Sequence, residues 1–411
     1  MKSKFLTDVA WFTFAQAIAG GLMLLYVVTA ARLLGDIETY GLFQSFMSIY
    51  GVVFVLGFPL NVVTIQRVSK SDLSQSPAIL NSCLKMGGGL GIAAGSILAF
   101  FAPVLATGLN SPSILPFFAV AALLAVAFTL TVFYGYLQGR NKYKVFAVVK
   151  IVEATFSCLA GCILMFLGYG VIGAILGYVI GMTIVLLYLV TSIDFKYAQS
   201  SFKWTEEFVK MRMPIAVSAV LLICVAGPMI ISRWRMDEWN SGIFAALFTF
   251  RNVLQPFALA VALPLYSWTL GKRPEKKNVQ KAFAVVTTIG ISFLILTLLA
   301  PQLCVRLLLG TNFAEASSYL PAYAFALLLY MLSMVTMFYN AAKQSLHPIA
   351  LASPLIAMIG LTMYPDLTIS VVISFQIIGW SIFLGLMVLS CLIVQYTTAE
   401  TRDESEYRAS G

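Results

Sequence analysis

Arg251 stands near the middle of a long apolar run, residues 241–268, with Asn252 beside it and Gln255 one helical turn further on. A guanidinium stays charged at physiological pH, and its planar fork of donors matches the oxygens of a phosphate. At membrane depth such a group requires a partner, a hydrated cavity or an anionic ligand. Counted from residue 242, nine residues at about 1.5 Å each place it about 13 Å into the apolar layer, close to the midplane. Arg251, Asn252 and Gln255 therefore read as a polar stripe suited to phosphate oxygens.

Glu153 lies at a similar depth from the other side, three residues after Lys150. Three readings are open: a local Lys150–Glu153 pair, a buried partner for Arg251, or a carboxylate that exchanges a proton or binds a cation as access switches. Arg32, Arg233 and Arg235 fall beside Asp36, Glu38, Asp237 and Glu238 at the ends of the first and seventh apolar runs. These clusters read either as solvated surface charge or as an ion-pair gate at an outer mouth.

No set of residues with catalytic spacing occurs: there is no His-Glu-x-x-His, nucleophile elbow or paired acid. Gly87, Gly88, Gly89 and Gly91 lack the Lys-Ser/Thr of a phosphate loop. Spaced by four, Gly87, Gly91 and Gly95, and again Gly173, Gly177 and Gly181, mark close-packing seams. The six cysteines have no metal-ligand companions and read as packing residues. No cofactor is expected, with coupling to H+ or Na+ left open, and the chain is not expected to be an enzyme.

The elements that carry these residues are set by composition. The chain is 60% hydrophobic, 10% charged and has a mean hydropathy of +0.91 over 411 residues, more apolar surface than a soluble protein can hide. Apolar runs of spanning length recur at about residues 8–31, 40–63, 84–105, 115–138, 145–167, 171–193, 213–232, 242–266, 282–303, 319–340, 348–363 and 367–396. The expected fold is an all-α polytopic membrane protein of about twelve transmembrane helices in two six-helix bundles around a central cavity. Of the 26 Lys and Arg residues, all but Arg32, Arg233, Arg235, Arg251 and Arg306 sort to one side. That side is expected to be cytoplasmic and to hold both termini. The net charge of +9 is then a topology signal, and no nucleic-acid partner is expected.

The division expected from helix count is a lobe at 1–193, a cytoplasmic linker at 194–212, a second lobe at 213–396 and a cytoplasmic tail at 397–411. Arg32 precedes Gly41-Leu42-Phe43 by nine positions, and Arg233 precedes Gly242-Ile243-Phe244 by the same nine. Two such halves, each starting on the same side, make parallel repeats about an axis along the membrane normal.

The segment Ala31-Arg32-Leu33-Leu34-Gly35 followed by Tyr40-Gly41-Leu42-Phe43 resembles the start of bacterial polysaccharide flippases of the Wzx type. These belong to the multidrug/oligosaccharidyl-lipid/polysaccharide exporter superfamily. The resemblance implies a pair of six-helix bundles in the bacterial cytoplasmic (inner) membrane that flips an undecaprenyl-pyrophosphate-linked oligosaccharide to the outer leaflet by alternating access, for lipopolysaccharide O-antigen or another surface polymer. It implies a cationic cavity, a role that Arg251 fits, with Arg32 nearer the surface than such a role requires. Implied partners are the anionic lipid-linked oligosaccharide, membrane lipid, and polysaccharide polymerase and chain-length machinery. Tyr330 and Tyr339 are candidates for sugar contacts or interfacial anchors. Two alternatives differ in class: a multidrug/cation antiporter of the same fold, which calls for an acidic cavity, and a membrane glycosyltransferase or polymerase of the same pathway, which calls for a large outer loop.

Overall fold

Where no water can satisfy a backbone amide, a segment crosses hydrocarbon as a helix, and this chain folds accordingly. A computed structural model describes residues 2–72, 74–193, 212–271, 276–343 and 348–409. Its helices are α1 (Lys2–Leu33), α2 (Ile37–Val53), α3 (Gly57–Lys70), α4 (Ser76–Phe100), α5 (Ala102–Gly108), α6 (Leu115–Gly139), α7 (Tyr143–Leu164), α8 (Gly170–Ser192), α9 (Arg212–Arg235), α10 (Glu238–Gly271), α11 (Lys276–Leu299), α12 (Pro301–Leu308), α13 (Leu320–Ala342), α14 (Pro348–Met363) and α15 (Ile369–Ala409). No strand occurs among the described residues. Each of the twelve expected spans coincides with one helix or a consecutive pair. The expected 194–212 linker, apart from the backbone of Arg212, lies outside the described residues, as do residues 410 and 411 of the tail.

Three expected spans are each built from two helices. The second is broken between α2 and α3 by the tight turn Phe54–Leu56. Pro59 follows in the first turn of α3, where its ring and missing N–H prevent a continuous α-helix from reaching back into α2. The third and ninth spans end in short helices, α5 and α12, after a break just before Pro103 and at Ala300. α14 keeps its full expected length in spite of the internal Pro354. Seven helical stretches among the described residues are each long and apolar enough to cross a membrane. One of these, Tyr143–Ser192, is α7 and α8 joined by a π-turn. There Gly168 and Gly170 take φ of 88° and 52°, a left-handed conformation that glycine adopts at little cost.

Both glycine seams bring backbones together. A Cβ added at Gly177 would lie 2.5 Å from Cα of Gly161, and one at Gly181 would lie 2.6 Å from the backbone N of Ser157, which zips α8 antiparallel along α7. In the same way Gly91 and Gly95 of α4 meet Ala125 and Ala121 of α6.

By compactness the chain forms one unit of Met1–Thr249 with Val305–Ala316 and another of Phe250–Cys304 with Ser317–Gly411. This is a different statement from a division by helix count: α9 and the first turns of α10 pack with α2 in the first unit. The segment Val305–Ala316 joins that unit through identifiable contacts. Phe313 packs edge-on against Tyr40 at 5.3 Å, Asn312 donates to the Gly35 carbonyl at 2.8 Å, and Trp239 Nε1 donates to Glu315 at 2.9 Å. In the second unit α13 packs between α11 and α15, and α14 lies against α15.

Replacing Gly177 by Leu is expected to cost about 1–3 kcal/mol through overpacking against α7, read as a fall in the apparent melting temperature of the purified protein. Gly89→Ala, at a position with open space around it, is expected to leave that temperature unchanged or raised.

Candidate functional site

In the second unit, Arg251 is half-buried on α10 and its Nη2 donates to Asn252 Oδ1 at 2.5 Å. Gln255, one turn along, is also half-buried. The guanidinium is the electrostatic neighbour of two phenols on α13, Tyr323 and Tyr330. These are buried, and their spacing of seven residues puts them two turns apart on one helix face. Packing fixes that face: the Tyr330 ring stands edge-on to Trp380 at 5.2 Å, and Asn340 donates to the Met387 carbonyl at 2.8 Å. The partners of Arg251 thus include an amide and two phenols, groups that solvate a cation through their dipoles. The Arg251–Asn252 part of the expected stripe is directly bonded. Tyr323 was not among the expected residues, although its two-turn spacing from Tyr330 was readable.

In the first unit, Glu153 on α7 is buried, at 7% exposure. Lys150 Nζ reaches its Oε2 at 2.9 Å, and the hydroxyl of Tyr134 on α6 donates to the same oxygen. The ammonium also sits over the Tyr134 ring, 4.3 Å from its centroid. Of the readings open in the sequence, the local Lys150–Glu153 pair is the arrangement present. Tyr134 gave no sequence signal, because it comes from a helix whose residues are nearly all apolar.

The clusters at the ends of α1 and α9 are organised around helix termini. Asp36 caps α2, accepting from Thr39 N at 2.6 Å, and Asp237 caps α10, accepting from Asn240 N at 3.0 Å. Partial burial pushes the Asp237 carboxyl up, but the hydrogen bonds from Asn240 outweigh it and hold the group below the usual aspartate range. Arg233 is 2% exposed, with Nε on the Leu109 carbonyl at 2.9 Å, Nη1 on Ser241 Oγ at 3.2 Å and Glu238 at 3.7 Å. Arg32 is exposed and its Nη2 donates to the Leu307 carbonyl at 2.7 Å. Arg235 and Glu38 are exposed, Glu38 within electrostatic reach of Arg233.

The repeated glycines also meet. A Cβ on Gly41 would lie 2.8 Å from Cα of Gly242, so α2 and α10 touch backbone to backbone. Beyond them the Tyr40 hydroxyl is bonded to Thr249 Oγ1 at 2.5 Å and receives Gln44 Nε2 at 2.7 Å. None of these three polar residues was expected from sequence to form a cluster.

The sequence matches the family described as "Polysaccharide biosynthesis protein" over residues 5–267. No curated protein matches it significantly. Among solved structures, the lipid II flippase MurJ in an inward closed conformation is similar at a TM-score of 0.72 and 20% identity, covering 92% of this chain and 87% of that one. A MATE in complex with MaD5 gives 0.69 at 16% identity, covering 95% and 96%. An inward-facing MATE multidrug resistance transporter of the MOP superfamily gives 0.67 at 14%, again covering 95% and 96%. At these identities the likeness is one of fold.

Removing one partner of the Lys150–Glu153 pair strands the other. Lys150→Met is expected to destabilise the protein by about 1–3 kcal/mol, and Lys150→Met combined with Glu153→Gln to recover most of that loss. A double-mutant cycle on thermal unfolding checks it, and additive effects would show that the two groups are uncoupled.

Proposed function

Because the chain belongs to the polysaccharide biosynthesis protein family, we propose that it is a flippase for a prenyl-pyrophosphate-linked oligosaccharide, moving that lipid between leaflets by alternating access. The observation that carries this reading is Arg251, a guanidinium in an apolar helix whose neighbours include an amide and two phenols. A pyrophosphate loses its hydration on entering the bilayer, and a fixed guanidinium offsets that loss. In this reading Arg251, Asn252 and Gln255 hold the pyrophosphate, Tyr330 lies beside them for the first sugars, and the prenyl tail stays in lipid.

The sorting of Lys and Arg supports a bacterial inner-membrane location with both termini cytoplasmic. The cargo is then a unit of a surface polymer such as O-antigen, handed to a polymerase and its chain-length partners. Coupling to H+ or Na+ is assigned to Glu153, whose charge is balanced by Lys150 at rest. That balance argues against Glu153 as a bare acidic site for organic cations.

In proteoliposomes, the native chain is expected to move a labelled prenyl-pyrophosphate oligosaccharide across the bilayer. Arg251→Ala is expected to slow that movement by about 10- to 100-fold, the loss of one charge-assisted bidentate contact, and Arg251→Lys by less. A native protein that moves no lipid-linked sugar but exports organic cations would overturn the flippase reading in favour of an antiporter.

A further inference from the structure

The two arginines of the repeated motif do the same job in a reciprocal way. Arg32, at the end of α1, donates to Leu307 in the last turn of α12. Arg233, at the end of α9, donates to Leu109 and Asn110 just past the end of α5. α5 and α12 are themselves counterparts: each is a short helix after the third span of its half, beginning Ala102-Pro103-x-Leu105 in one and Ala300-Pro301-x-Leu303 in the other. So the first helix of each half reaches across to the short helix of the opposite half. All four helix ends lie in the first compact unit.

The chemistry suits a contact that is made and broken. The last carbonyls of a helix have no partner within it and carry the negative end of its dipole, so a guanidinium satisfies them. The local backbone leaves these oxygens free: Leu309 N bonds to Val305 and Gly310 N to Arg306, while Leu109 N bonds to Leu105 and Asn110 N to Thr107. Of the nearby acids, Asp36 and Asp237 are engaged as helix caps, while Glu238 lies 3.7 Å from Arg233 and Glu38 is within electrostatic reach of it, so the direct hydrogen bonds of the two arginines are to carbonyls and one hydroxyl. Next to Ser241, which accepts from Arg233, Gly242 meets Gly41, and further along the same helices Tyr40 meets Thr249.

We propose that Arg32 and Arg233 are a reciprocal latch that holds this mouth of the protein closed, each binding the carbonyl end of the other half's short helix, with the Gly41–Gly242 contact as the surface that parts when the latch releases. The inference rests on the alternating-access reading but not on the identity of the cargo.

The test uses the full chain in membrane vesicles, with its native cysteines replaced and Thr249→Cys as the only thiol, labelled by a membrane-impermeant maleimide from the face carrying α5 and α12. Thr249 is fully buried beneath Tyr40, so labelling requires α2 and α10 to separate. Arg32→Gln removes the hydrogen bond to Leu307 made by an exposed side chain and is expected to raise the labelling rate about fivefold, the effect of one net hydrogen bond. Arg233→Gln is expected to raise it further. Labelling unchanged in Arg32→Gln, with the same protein folded by its melting temperature, would overturn the latch. So would a rise produced equally by 1 M salt in the unaltered background, since that is the behaviour of a screened ion pair. If the arginine variants open the mouth while no lipid-linked sugar moves in the transport assay, the latch stands and the flippase reading falls.

Discussion

The requirement that each backbone amide find a partner inside the hydrocarbon governs this chain more than any side-chain preference. It makes every span a helix, and it makes each break in a span a problem that needs a local solution. At Phe54–Leu56 the tighter turn carries the backbone into α3. At the ends of α5 and α12 the solution comes from a distance, as an arginine from another part of the sequence. With backbone bonds satisfied within helices, lateral attraction comes from close approach, and glycine supplies it where α4 meets α6 and α7 meets α8.

Three arginines in one apolar protein illustrate how the same charge is tuned by its neighbours. Arg233 is enclosed by carbonyls and a hydroxyl, with Glu238 at 3.7 Å and Glu38 within electrostatic reach, so much of its charge is met by dipoles that also fix a helix end. Arg32 keeps one flank in solvent. Arg251 has an amide and two phenols among its neighbours. Lys150 and Glu153 by contrast cancel each other within a single helix turn. Within the first unit the buried acid thus has its counter-charge one helix turn away, whereas the contacts described for Arg251 in the second unit are with an amide and two phenols.

Much of this was legible in the sequence because its causes are local. Spanning runs and four-residue glycine spacing each act through a length or a period, and the helices and their close approaches fall where those periods placed them. Arg251 with Asn252 was legible for the same reason. What could not be read were partners brought by tertiary contact: Tyr134 on Glu153, the Leu307 and Leu109 carbonyls on the two arginines, and the Tyr40–Thr249 bond. A carbonyl acceptor leaves no mark in sequence, since every residue carries one. The mixed-charge clusters suggested ion pairs because acids and bases were adjacent in the chain, whereas Asp36 and Asp237 are drawn instead to free amides at helix starts.

The repeat itself separates closure from recognition. At an offset of 201 residues Arg32 matches Arg233, Asp36 matches Asp237, Gly41 matches Gly242 and Phe43 matches Phe244. A surface that meets its own counterpart across a pseudo-twofold axis is self-complementary only if both copies keep the same residue at the contact, and Gly41 against Gly242 meets that condition. Two turns further in, the correspondence lapses: the counterpart of Arg251 is Tyr50, a phenol within electrostatic reach of the neutralised Glu153. A cargo without twofold symmetry, such as the one proposed, would gain nothing from matching halves. The sequence stays symmetric where the halves touch each other and diverges at the depth where they would touch something else.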